Sequence, residues 1–173
     1  MKLPLRWLLD YLPPALRGPA LTDALAAACR RWDLEPGAGV ADTLGRLLTF
    51  AGFNCDAVEG EGETAVLELD VLSNRPDGQC VLGLAREAAA ILGAELVPPS
   101  ADLRGLESGE AAAALAAVSV EEPLLCPRYT ARILRGVKVG PSPRWLQDRL
   151  AWMGLKPRNN IVDVTNFICL ELN

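Results

Sequence analysis

The stretch from Val66 to Gly93 changes its hydrophobic period across one short turn, and that change restricts the chain to a mixed architecture. Leu67, Leu69 and Val71 alternate with Glu68 and Asp70, the period of a strand with one buried face. Ser73-Asn-Arg-Pro-Asp-Gly78 reads as a turn, and behind it Val81, Leu84, Ala88 and Ile91 recur at helical spacing until Gly93 supplies a left-handed stop. A strand face and a helix stripe so close together must bury against a common core, so the expected fold class is α+β. With 173 residues, 50% of them hydrophobic, the chain can fill such a core as one domain or as two small ones.

The same reading extends in both directions. Leu3, Leu5, Trp7 and Leu8 pass from alternating to helical spacing and predict a short helix ending near Leu12, where Pro13 and Pro14 stop it. Leu21, Leu25, Cys29 and Trp32 predict a second helix with Thr22 as its cap. Leu44, Leu47, Leu48 and Ala51 predict a third, capped by Asp42 and ended by Gly52. Phe53 to Val58 reads as a strand that pairs with the one at Leu67 across the Gly60 to Gly62 turn. From Pro98 to Ala117 the sequence becomes alanine-rich and acidic, which marks a linker between a first domain, 1–97, and a second, 118–173. Val118 to Val120 and Tyr129 to Val139 read as strands, and Ser142-Pro143 as the start of a helix running to Gly154. Ile161, Val164, Ile168 and Leu172 predict a last helix behind an asparagine cap.

Charge and composition exclude several functions. The 22 acidic residues outnumber the 17 basic ones, and a net charge of -5 gives no broad footprint for nucleic-acid phosphates, so any RNA contact is local and none with DNA is expected. The chain has no histidine, and its five cysteines include no C-x-x-C pair, so no metal site is expected and the thiols read as reduced and mostly buried. No uncharged stretch approaches the ~18 apolar residues of a membrane span, and Arg6 and Asp10 interrupt the apolar start. A cytoplasmic location is expected.

Three stretches, in order, resemble the bacterial-type phenylalanyl-tRNA synthetase beta family. Lys2-Leu-Pro-Leu-Arg-Trp-Leu8 with Leu48-Thr-Phe-Ala-Gly-Phe53 is similar to its N-terminal domain. Val66-Leu-Glu-Leu-Asp70 follows, with Asn74-Arg-Pro-Asp77 and Gly83-Leu-Ala-Arg-Glu87. Cys126-Pro-Arg-Tyr-Thr-Ala-Arg132, Gly140-Pro-Ser-Pro143 and Asn159-Asn-Ile-Val-Asp-Val-Thr-Asn166 resemble the opening of its editing region, and this last motif is the most specific. The path from Val58 to Val66 is too short for the OB-fold that most bacterial members carry there. Residues 16–36 are additional, and Lys156 stands where the family often has arginine.

The resemblance implies a small N-terminal helix and strand domain, 1–97, a linker, 98–117, and the incomplete start of an α+β editing domain of B3/B4 type, 118–173. It implies a subunit of phenylalanine-tRNA ligase in an alpha2beta2 heterotetramer, with tRNA(Phe) as partner and with ATP and Mg2+ bound by the alpha subunit. It also implies hydrolytic editing of mischarged Tyr-tRNA(Phe) by the full-length protein, and inactivity of this segment alone. Thr165, Asn166 and Lys156 fall in the editing pocket by this resemblance, where a hydroxyl and an amide can orient an aminoacyl ester; an ordinary helix turn is the competing account of Thr165 and Asn166. Arg75, Arg128 and Arg132 are candidate RNA or partner contacts because a guanidinium presents a planar fork to phosphate or carboxylate. Turn closure competes for Arg75, and a solvated strand competes for Arg128 and Arg132. The different class of function is a noncatalytic synthetase-like interaction module.

Overall fold

The computed structural model describes all 173 residues. It is α+β, with a three-stranded antiparallel sheet in the order β1-β3-β2 formed by β1 (Lys2–Pro4), β2 (Asn54–Glu59) and β3 (Val66–Asp70). β3 is central: Leu3 pairs with Leu67 on one side and Val58 with Leu67 on the other. Its alternation is realised as expected, with Leu67 and Leu69 buried and Glu68 and Asp70 in solvent. A bulge between Cys55 and Ala57 interrupts the β2 register. The opening residues differ from the expected single helix. Lys2–Pro4 form a strand because β3 offers it a ladder, and α1 occupies only Leu5–Leu9.

Four further helices, α2 (Pro19–Arg31), α3 (Val40–Phe50), α4 (Val81–Leu92) and α5 (Arg144–Trp152), precede α6 (Asn160–Leu172). The apolar stripes of α2, α3 and α4 are those expected, but the starts of α2 and α3 lie elsewhere. On α6 the expected stripe of Ile161, Val164, Ile168 and Leu172 is exposed, because Asp163, Phe167, Leu170 and Glu171 find their partners on the opposite, inward face. α2 begins at Pro19, whose fixed φ suits the first turn, so Thr22 lies inside the helix and is not its cap. α3 begins after Gly39, which places Asp42 in the first turn, where its charge complements the helix dipole. α4 is capped by the Cys80 thiol, which accepts the Gly83 N–H at 3.3 Å. Gly83 is required there because a Cβ would stand 1.6 Å from the Asp77 carbonyl oxygen. Gly93 closes α4 with a φ of 64°, in the left-handed region.

Trp7, Phe53, Leu47, Leu67 and Leu84 are among the largest fully buried side chains. The additional segment at 16–36 joins this core through Leu21, Leu25, Ala28 and Cys29. Arg17 donates to the Leu9, Leu12, Pro13 and Leu16 carbonyls, and Arg31 donates to the Ile91 carbonyl at the end of α4. The Leu9 and Pro13 carbonyls also accept the Leu12 and Leu16 amides, whereas Arg31 reaches a carbonyl in the last turn of α4, where a helix supplies no donor of its own.

Packing divides the chain into two compact units, Met1–Pro99 with Gly140–Asn173, and Ser100–Val139. The first unit joins residues from both sides of the expected linker at 98–117, with α5 packing on β1 and α6 on α4. Phe167 stacks on Trp7 with centroids 5.0 Å apart and planes 4° apart, while Trp145 meets Phe167 edge-on at 5.5 Å. The Arg149 guanidinium lies over the rings of Trp7, Trp145 and Phe167 and pairs with Asp10. The Tyr11 hydroxyl donates to the buried Glu171 carboxylate, and the Asn173 amide donates to the Pro76 carbonyl at 3.2 Å.

In the second unit the strands expected at Val118–Val120 and Tyr129–Val139 do not form, and a 3-10 turn at Ala112–Ala114 is its only helical element. Alternation alone makes no strand when no neighbouring strand supplies ladder partners. Leu134 in the second of these stretches, and Leu124 and Leu125 between the two, are exposed.

Candidate functional site

The first turn of α6 is built by its own motif. Asn159 caps the helix, its side-chain oxygen accepting from the Ile161 and Val162 amides at 3.0 and 3.1 Å. Asn160 is bonded twice to Gly140: its side-chain oxygen accepts from the Gly140 N–H at 3.1 Å, and its own N–H donates to the Gly140 carbonyl at 2.9 Å. Asp163 is fully buried and accepts from the Ser142 hydroxyl and, at 2.8 Å, from the Arg158 N–H. The Gln147 amide closes the corner by donating to the Ser142 carbonyl at 2.6 Å. The start expected at Ser142-Pro143 shifts along the chain: α5 begins after Pro143, and the Ser142 hydroxyl is turned to Asp163.

Thr165 is exposed on α6, and its hydroxyl donates to the Val162 carbonyl at 2.8 Å, the back-bond of an ordinary helix turn. Asn166 is half-buried beside it, and Lys156 is exposed in the loop before the helix. Thr165 and Asn166 therefore share α6, with Lys156 tethered to it through Pro157 and the anchored Arg158 amide.

The arginine candidates lie elsewhere. Arg75 donates from Nε and Nη2 to the two oxygens of Asp77 at 3.1 and 2.9 Å, donates also to Glu87, and lies 4.4 Å above the Phe53 ring centroid. The hydrogen bond from Arg75 holds the Asp77 carboxyl below its ordinary range, while Asp77 first and Glu87 second raise the Arg75 guanidinium. The fork is thus occupied within the fold. Within the second unit Arg132 pairs with Glu107 at 3.0 Å and Arg135 with Glu110 at 2.9 Å, so acidic residues of the alanine-rich stretch offset its most basic segment. Arg128 and Tyr129 are exposed there.

Sequence reasoning missed Asp163, Glu171, Tyr11 and Arg149. Asp163 carried a signal, a carboxylate recurring on the same helical face as Phe167 and Leu170, where only a paired charge is tolerated. The five thiols are all free, but only Cys29 and Cys80 are buried; Cys55 and Cys126 are half-buried and Cys169 is exposed, so the expectation of mostly buried thiols fails for three. Burial pushes the Cys29 and Cys55 thiols up. No group of three or more Cys, Asp or Glu side chains converges as a metal-binding set, and no helix is long and apolar enough to cross a membrane.

Comparison with known proteins places residues 125–173 in a match to the B3/4 domain family. The chain is 44% identical over 140 residues to the phenylalanine–tRNA ligase beta subunit of Moorella thermoacetica, covering 81% of this chain and 15% of that protein. It is 44% identical over 130 residues to that of Rhodopirellula baltica, covering 75% of the chain and 19% of the relative. With that of Syntrophotalea carbinolica it shares 49% over 108 residues, 61% of the chain and 13% of the relative. The chain thus spans less than a fifth of the length of these relatives.

Proposed function

We propose that this chain, which belongs to the phenylalanine–tRNA ligase beta-subunit family, is the part of a beta subunit that carries the N-terminal core and the opening of the editing region. In this reading it assembles with an alpha subunit in an alpha2beta2 ligase of the cytoplasm, and the assembly attaches phenylalanine to tRNA(Phe). In the same reading ATP and Mg2+ are bound by the alpha subunit, as the family resemblance implies.

The observation that carries the editing part of the reading is the B3/4 match over 125–173, which includes Thr165 and Asn166 on α6. An editing step answers a limit of recognition: an aromatic pocket cannot strongly reject an analogue that adds one hydroxyl, as tyrosine does to phenylalanine. Hydrolysis adds water across the tyrosyl ester, its hydroxyl going to the carbonyl carbon and its proton to the ribose oxygen. Thr165, Asn166 and Lys156 orient the ester on one side. A positioned water and stabilisation of the developing oxyanion must come from further groups.

The test incubates Tyr-tRNA(Phe) with this chain and with an assembled ligase whose beta subunit includes it. The ligase should deacylate the tRNA, and Thr165→Ala or Asn166→Ala should lower that rate by about tenfold or more. The short chain should not exceed the spontaneous rate. Unchanged deacylation in both ligase variants would remove the editing assignment. A second reading, a noncatalytic interaction module, is favoured by one observation, the use of the Thr165 hydroxyl within its own helix. It expects no deacylation from the ligase at all.

A further inference from the structure

Asp163 is a buried carboxylate that the proposed reaction does not use. Its exposure is 0%, and its oxygens are met by the Ser142 hydroxyl and by the Arg158 N–H at 2.8 Å. A buried carboxylate is costly unless its lone pairs are satisfied, so these bonds fix where both donors stand. Three separate segments meet there: Gly140–Ser142 before α5, Lys156–Arg158 before α6, and the first turn of α6 itself. The paired bonds between Asn160 and Gly140 close the same joint from its other side.

We propose that Asp163 is a positioning residue for the Thr165, Asn166 and Lys156 site, holding the 156–158 loop and α6 as one body. The inference rests on the editing reading for what the site does, and on the hydrogen bonds alone for how it is held. Pro157 restricts φ, and the Arg158 amide is tied to Asp163, so the backbone of Lys156 has little freedom relative to α6. Asn166 lies three residues after Asp163 in the same helix. The separation between Lys156 and Asn166 is therefore set through Asp163, and a reacting ester held between them would be sensitive to displacements near 1 Å.

The role is geometric rather than electrostatic, which gives it a specific signature. In Asp163→Asn the side-chain oxygen can still accept from the Arg158 N–H. The new amide can donate to the Ser142 hydroxyl, which rotates to accept. Asp163→Ala removes both bonds, and Ser142→Ala removes one.

The experiment uses an assembled ligase whose beta subunit includes this chain, with Tyr-tRNA(Phe) deacylation and phenylalanine attachment measured side by side. Asp163→Ala should lower kcat for deacylation by about 10- to 100-fold, with KM for the tRNA and the attachment rate unchanged within about twofold. Ser142→Ala should lie between Asp163→Ala and wild type, and Asp163→Asn should stay within about threefold of wild type. Loss in Asp163→Asn as deep as in Asp163→Ala would overturn the proposal, since charge and not geometry would then matter. Equal loss of deacylation and attachment in Asp163→Ala would overturn it too, by showing a general failure of folding. Hydrogen exchange on the 173-residue chain supplies a readout independent of activity. The Arg158 amide should exchange faster in Ser142→Ala while the denaturation midpoint holds, and unchanged exchange at that amide in both Ser142→Ala and Asp163→Ala would refute the tether. Unchanged deacylation in Thr165→Ala and Asn166→Ala would defeat the editing reading alone, leaving the exchange result to decide the tether.

Discussion

Replacing Phe167 by alanine tests whether α6 belongs to the core that contains β1 and α1. The Phe167 ring stacks on the fully buried Trp7 at 5.0 Å and receives Trp145 edge-on at 5.5 Å. A fully buried Phe→Ala change costs about 3–5 kcal/mol through lost transfer energy and the cavity left behind. Phe167 is half-buried, which reduces that to about 2 kcal/mol, and the two ring contacts add about 1 kcal/mol. The expected loss is therefore about 3 kcal/mol, a large fraction of the stability of a domain this size. Urea unfolding followed by circular dichroism should show a lower midpoint with an unchanged slope. Hydrogen exchange locates the effect: amides of β1 and α1, including Leu5, whose N–H donates to the Ala65 carbonyl at 2.9 Å, should lose protection together with those of α6. A loss below about 0.5 kcal/mol, or lost protection confined to residues after 140, would refute the shared core.

Three further outcomes follow from single contacts. Tyr11 is buried and bonded to Glu171; burial first and that carboxylate second raise its phenol above the ordinary value of 10.0, so the native state holds its proton where the unfolded chain releases it. Stability should be constant below pH 10 on this account and fall as pH rises above it, and Tyr11→Phe should abolish that alkaline loss in urea midpoints measured across the range. Gly83→Ala would set a methyl group 1.6 Å from the Asp77 carbonyl oxygen, and thermal unfolding should show a loss of about 3 kcal/mol as the 3-10 turn at Pro76–Gln79 and α4 are forced apart. Arg75→Lys keeps a charge but loses the fork that spans Asp77 and Glu87, so its melting temperature should fall towards that of Arg75→Ala; equality with wild type would mean that charge alone suffices.

The helices were legible where two independent signals coincided. α3 and α4 each combine a 3.6-residue apolar stripe with a stop, Gly52 or Gly93, that the backbone uses, whereas α6 was legible as a helix through its Asn159 cap but the stripe of Ile161, Val164, Ile168 and Leu172 lies on its solvent side. The starts of α2 and α3 were less legible because polar residues compete for each cap, and the backbone decided in favour of Gly18 and Gly39. The strands at Val118–Val120 and Tyr129–Val139 failed for a different reason: alternation describes one strand, whereas a ladder needs two. Arg75 was readable as a turn residue, yet its second partner, Glu87, lies 12 residues away on α4. The bond between Tyr11 and Glu171 spans 160 residues and has no local signature at all. At the candidate site, the motif gave Thr165 and Asn166 their place on α6, while the brace beneath them joins Ser142 to Asp163 across 21 residues and emerged only from the packing.

α6 carries two kinds of residue on two faces, and the inward face governs what the outward face can do. Asp163, Phe167, Leu170 and Glu171 turn to the core, where they meet the 140–142 segment, Trp7 and Tyr11. Ile161, Val164, Thr165 and Ile168 face solvent. A site carried on a helix is more precise than one carried on a loop when the helix is itself held at several points along its length. Here the holding points are spread from the Asn159 cap to the bond between Asn173 and Pro76. Trp7 and Tyr11, more than 150 residues before Thr165 in the chain, thereby control the orientation of the helix that carries it. The core around Trp7 and Tyr11 and the segment that matches the B3/4 domain are thus coupled through one side of one helix.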